Sequence, residues 1–187
     1  MEKKGLTAAE ALEKLKQGNK RYLTATANPG DVSAELRKAT CEGGQSPYAV
    51  VVTCSDSRVV PESIFCAGLG ELFVIRVAGN VMANHQIGSV EYGAEHLGCR
   101  LVVVLGHDNC GAVGAAMQDE PTGFIKTITD EIREAIGEEK DYYRACCLNV
   151  EKGVSILKES LHVGGEDDLK IVGAMYHIAD GSVDFME

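Results

Sequence analysis

The chain has 187 residues, of which 45% are hydrophobic and 25% charged, as in a globular protein and unlike a disordered one. At roughly 100–200 residues per domain, a single domain spanning 1–187 is expected, able to bury about 70% of its unfolded surface without a covalent staple. Eighteen Lys and Arg against 28 Asp and Glu leave a net charge of −10, which repels phosphate backbones and argues against a nucleic-acid partner.

No run of about 18 apolar residues occurs, so neither a transmembrane helix nor a membrane partner is expected. The segment MEKKGLTAAEALEKLK is charged and lacks the apolar centre of a secretory signal, so the expected location is cytoplasmic. Seven Cys are then notable. A reducing compartment leaves thiols to metal ligation, catalysis or packing, and an odd number cannot pair within one chain.

In chain order, Thr7-Ala8-Ala9-Glu10 has the form of a capping box and opens a helix to about Tyr22. Asn28-Pro29-Gly30 breaks the chain, and Asp31 to Cys41 reads as a second short helix ended by Gly43-Gly44. Together these form an N-terminal helical arm, about 1–44. The pattern then changes. Tyr48 to Thr53, Leu72 to Ile75 and Leu101 to Leu105 are short apolar runs rich in β-branched residues, as strands buried on both faces read. Ile87 to Leu97 has helical length and is closed by Gly98, and Gly111 to Met117 starts another helix. Ile125–Ile136 and Asp141–Leu161 are further helical segments, and Leu169 to Tyr176 is a fourth strand. Asp180-Gly181 signals a hairpin before Val183-Asp184-Phe185. Alternating strands and helices predict an α/β fold, a central and mostly parallel sheet flanked by helices.

Two segments directly follow apolar runs: Cys54-Ser55-Asp56-Ser57-Arg58 and Gly106-His107-Asp108-Asn109-Cys110-Gly111. Open α/β sheets bind ligands beyond the carboxyl ends of their strands. If the two strands are neighbours, Cys54, His107 and Cys110 converge. Two thiolates and an imidazole suit zinc, and three protein ligands leave the fourth tetrahedral corner for water. A structural zinc would need a fourth ligand, which Asp56 or another Cys could supply. Positions 54, 56 and 58 of an extended segment face the same way, so Asp56 and Arg58 border the metal. A carboxylate there can accept a hydrogen bond from a reactive water, and a guanidinium can fork onto that carboxylate and keep it off the metal.

The pair CSDSRV and GHDNCGAV resembles the β-class carbonic anhydrases: C-x-D-x-R, then H-x-x-C with His107 53 positions after Cys54. The resemblance runs from Gly18-Asn19-Lys20-Arg21-Tyr22 to the last strand. It implies Zn2+ on Cys54, His107 and Cys110, with Asp56 and Arg58 as the catalytic pair. It implies a substrate pocket of Gln45, Phe73, Ala78 and Tyr92, with Tyr92 on a helix supplied by a neighbouring subunit. Ala78-Gly79-Asn80 departs from the usual family motif, and the segment after Cys110 is short. The implied reaction is reversible hydration of carbon dioxide to bicarbonate and a proton by zinc-bound hydroxide. Family members form dimers that exchange N-terminal helices and share active sites, so a homodimer or higher homo-oligomer is expected.

Carbonyl sulfide and carbon disulfide hydrolases resemble the same family and are the nearest alternative. A non-catalytic zinc-binding homologue is another, against which the intact Asp56–Arg58 pair speaks. The other cysteines (Cys41, Cys66, Cys99, Cys146, Cys147) read as packing residues. His96, His162 and His177 have no ligand pattern, and His85 is the candidate proton shuttle on its ordinary pKa alone. Glu138-Glu139 and Glu166-Asp167-Asp168 read as solvated faces.

Overall fold

The computed structural model describes residues 5–27, 30–118, 121–161 and 169–186. His162, Glu166-Asp167-Asp168 and the Asn28-Pro29 break lie outside them. Helix α1 (Ala8–Tyr22) begins with the expected capping box, Thr7 and Glu10 each bonding the other's backbone N–H. It is followed by α2 (Ala34–Gly43), β1 (Ala49–Thr53), α3 (Pro61–Ile64) and β2 (Leu72–Arg76). A 3₁₀ turn at Ala78–Asn80 leads to α4 (Asn84–Glu91), which widens into a π turn over Tyr92–His96. Then come β3 (Leu101–His107), α5 (Gly111–Gln118), α6 (Ile125–Ile136), α7 (Tyr142–Ser160), β4 (Lys170–Tyr176) and β5 (Val183–Met186).

The sheet order is β2-β1-β3-β4-β5. The first four strands are parallel and β5 closes antiparallel on β4, as the Asp180-Gly181 signal predicts. Successive side chains of a strand point to opposite faces, so a sheet covered on both sides requires continuous apolar runs. Val50, Val52, Val102 and Val104 enter one core with α7 and α6 residues such as Val150, Leu157 and Ile132. Ala49, Val51, Leu101, Val103 and Leu105 enter the other, beneath Leu12 and Leu15 of α1 and Ile64 of α3. All seven residues of β3 are buried, whereas β2 is buried only at Leu72. The sequence of β2 reads like that of β1, but β2 is an edge strand and its outer flank is open.

Helix α7 lies close on the sheet because two strand positions lack a side chain. A Cβ at Gly106 would come within 2.3 Å of Val150 Cγ2, and one at Gly173 within 2.9 Å of Val150 Cγ1. Helix α1 packs on its own chain's sheet, while α2 has no buried residue. Cys66, Cys99, Cys146 and Cys147 are buried, as packing residues should be, but Cys41 on α2 is exposed.

Candidate metal centre and active site

Pairing of Thr53 with Leu105 places the carboxyl ends of β1 and β3 side by side, so Cys54 and His107 leave the sheet as neighbours. The chain then turns through Asn109 in the left-handed region (φ 50°), and Cys110 returns to the same spot just before α5. The two Sγ atoms and the imidazole nitrogen lie within 4.8 Å of one another, and all three residues are buried. The Nδ1 of His107 lies 2.7 Å from Asp108 O. A carbonyl only accepts, so the proton sits on Nδ1 and Nε2 keeps its lone pair. Among the described residues, that buried Nε2 has no hydrogen-bond partner. An orphaned ring nitrogen facing two sulfurs fits a metal ligand set, because burial without a partner otherwise costs stability.

The two thiols are pushed in opposite directions. Cys54 is pulled down to about 4, chiefly by the hydrogen bond from Cys110, and further by the Gly79 amide. Cys110 is pushed up because it donates to Cys54 and is buried. Two sulfurs thus share one proton where a cation with two thiolates would hold none. Gly79 N donates to Cys54 Sγ at 3.3 Å from a backbone at φ 68°, a conformation that suits glycine.

Asp56 borders this centre, its Oδ2 3.9 Å from His107 Nε2. Arg58 forks onto it as the sequence predicts: Nε donates to Oδ1 at 3.0 Å, Nη2 to Oδ2 at 2.7 Å, and the Arg58 amide to Oδ1 at 2.9 Å. The guanidinium holds the Asp56 carboxyl well below the usual carboxylate range, against a smaller opposing effect of burial. The carboxylate is therefore ionised, oriented and restrained.

The other expected pocket residues divide. Ala78 adjoins Gly79 and so sits beside Cys54. Phe73 pairs in register with Val50, four residues before Cys54, which is about 13 Å along a strand. Tyr92 packs on Phe73 (ring centroids 5.9 Å) and His96 (5.2 Å) and is 45% exposed. Gln45 is exposed before the amino end of β1, opposite to the end that bears Cys54. His85 is exposed near the start of α4. One chain thus joins Cys54, Asp56, Arg58, Ala78, His107 and Cys110 and leaves Gln45, Phe73 and Tyr92 on the β2 flank.

Three supporting residues escape the sequence reading. Arg76, the last residue of β2, donates to Cys54 O at 3.2 Å and Asp56 O at 2.7 Å, clamping the backbone on both sides of Ser55. Tyr142 Oη donates to Cys110 O at 2.7 Å, and buried Asn149 donates to Gly79 O at 2.7 Å. Arg76 carries a legible signal, a charged residue ending an apolar run at the same sheet edge; Asn149 shows only as a polar residue on the core face of a helix.

A model of the carbonic anhydrase family matches residues 49–183. The carbonic anhydrase of Mycolicibacterium smegmatis is 37% identical to the chain over 191 aligned positions, covering 93% of this chain and 91% of that one. Among solved structures, the β-carbonic anhydrase CafA of Aspergillus fumigatus superposes with a TM-score of 0.69 at 26% identity, covering 82% of this chain and 86% of that one. Two tetrameric β-carbonic anhydrases of Sordaria macrospora are described in a structure that matches with a TM-score of 0.69 at 25% identity, over 82% and 87%. By matched sequence, fold and ligand geometry together, the chain belongs to the carbonic anhydrase family, in its β class.

Proposed function

We propose that the chain is a zinc enzyme interconverting carbon dioxide with bicarbonate and a proton. The observation that carries this reading is the buried Cys54–His107–Cys110 corner with its unpartnered Nε2 and an ionised Asp56 fixed alongside. Two thiolates with an imidazole favour zinc over harder cations. Bound there, zinc supplies Lewis acidity, enough to make a nucleophile of water near neutral pH. Cys54, Cys110 and His107 Nε2 hold it. Asp56 accepts a hydrogen bond from the reacting water and aims its lone pair, while Arg58 keeps that carboxylate ionised and turned from the metal. Arg76 and the Gly79 amide fix the segments on which these groups sit. Carbon dioxide is small and apolar, so a dry wall at Ala78 serves it better than polar contacts.

The rest of the pocket comes from a second copy. Gln45, Phe73 and Tyr92 lie away from their own chain's ligands, α2 buries no residue, and Val32 and Leu69 are 61% and 42% exposed. These features support a single catalytic domain over 1–187 whose N-terminal arm meets another subunit in a homodimer or larger homo-oligomer. Seven unpaired cysteines support a cytoplasmic location. No described helix is long and apolar enough to cross a membrane.

Metal analysis of chelator-free protein with stopped-flow carbon dioxide hydration tests the reading. We expect one zinc per chain and hydration far above the uncatalysed rate. Stoichiometric zinc with background hydration, or faster sulfide release from carbonyl sulfide, overturns the assigned substrate.

A further inference from the structure

We propose that Asp108 is a positioning residue: its carboxylate, tied to the hairpin between β4 and β5, fixes the peptide that orients the His107 ring and so sets metal affinity. The inference rests on the zinc-site reading above. Strands β3 and β4 pair to their last residues, His107 with Tyr176, and Asp108 N extends the ladder to Tyr176 O at 3.2 Å. Asp108 and His177 therefore leave the sheet together. Asp108 Oδ1 accepts from Ile178 N at 3.1 Å, and Oδ2 lies 4.0 Å from His177 Nδ1. The far side of that ring is also held: His177 Nε2 lies 2.9 Å from Asp184 Oδ2, and Tyr143 stacks on it at 5.7 Å. The His177 backbone closes the turn, its amide donating to Ser182 O and its carbonyl accepting from Gly181 N.

The same residue touches the ligand through its backbone. Asp108 O accepts a hydrogen bond from His107 Nδ1 at 2.7 Å and so directs Nε2 toward the sulfurs. The following residue, Asn109, holds a left-handed conformation that returns Cys110 to the site. A free Asp108 side chain would let this peptide rotate, turning the imidazole and shifting Cys110 together. A carboxylate at this position thus links two ligands to a rigid strand end, and His177 separates it from a second carboxylate, Asp184. Groups that support a ligand from behind are worth roughly 10–100-fold in metal affinity.

The test uses the full chain with zinc competed against a chromophoric chelator, and Co2+ substitution read from its visible absorption band. Asp108→Ala is expected to weaken zinc 10- to 100-fold and to shift the cobalt band at unchanged far-ultraviolet circular dichroism. Asp108→Asn, whose amide oxygen still accepts from Ile178 N, should bind within about threefold of the parent on the same scale. A folded Asp108→Ala with parental affinity and cobalt band overturns the assignment, as does an Asn variant as weak as the Ala one. If Asp108→Ala does not fold, Asp108→Leu carries the test, because it keeps a side chain of similar reach but offers no acceptor to Ile178 N. Weaker zinc with a shifted band supports the proposal, and parental behaviour overturns it. A parent chain that takes up no zinc defeats the metal-site reading itself, an outcome separate from any variant result.

Discussion

The two ends of the β1 strand contrast sharply. At its carboxyl end, Cys54, His107 and Cys110 are buried, cross-braced by Arg58, Arg76, Asn149 and Tyr142, and complete within one chain. Toward its amino end and the β2 edge, Gln45, Phe73, Tyr92 and α2 are loosely covered. The braced end has the chemistry of a metal site, and the open end is where we propose that a second copy meets the chain. Metal binding should then belong to the single chain, and full catalysis to the assembly.

The largest expected effect falls at the braced end. Cys54→Ser replaces a soft anionic ligand, so zinc affinity should fall by more than the ~10–100-fold that a supporting group costs, and hydration with it. Metal content after dialysis checks this; a fully zinc-loaded and active Ser variant would break the comparison at its root. Next comes Asp56→Ala, which keeps all three ligands. Zinc should remain stoichiometric while kcat falls by roughly 10²–10⁴, the worth of a well-placed proton-handling group. At the open end, Tyr92→Ala should leave zinc unchanged and lower kcat/KM by at most about a hundredfold, the cost of a displaced pocket wall. If Tyr92→Ala released the metal instead, the division between the two ends would be wrong.

The smallest effect is a pH dependence. Asp56 has a carboxyl held below its ordinary 3.8 by Arg58. A depressed carboxylate contributes stability that is present above the ordinary value and lost as pH falls through the lower folded one. The difference in melting temperature between the parent and Arg58→Gln should therefore be flat from pH 8 to about 5 and shrink only below about 4. A difference that vanishes near pH 6 would show that the Asp56–Arg58 fork opens in mild acid.

Much of this was legible in the sequence, for identifiable reasons. The runs at β1 and β3 announce two-faced burial because both faces of a parallel sheet must be apolar, and the ligand motifs are short and sit at strand ends. Helix α6 falls where its apolar spacing puts it, Ile125–Ile136. The one-turn helix α3 is not legible, although Pro61 stands at its first turn, because four residues carry no periodicity. The half-open β2 departs from the two-faced burial expected of it, since an apolar run cannot tell an edge strand from a central one. Tyr142 and Asn149 carry no site signal in the sequence, because their partners are backbone atoms brought near only by tertiary packing, and Arg76 shows only as a charge ending an apolar run. The vicinal Cys146 and Cys147 are both buried, and burial pushes the Cys146 thiol up to about 11, so they are ordinary packing residues.

The pairing of Thr53 with Leu105 has one more consequence. Ordinary strand hydrogen bonds, driven by valine-rich packing, bring Cys54 and His107 together across 53 positions of chain. Small zinc modules fold only around their ion, because the ion replaces a core they lack. Here two packed cores hold the ligand-bearing strand ends, so the fold need not wait for a cation. Stripping the metal should lower the melting point only by the free energy of ligation, in proportion to the logarithm of free zinc. Descendants that lost a ligand would keep an intact sheet, free to be adapted to tasks without metal.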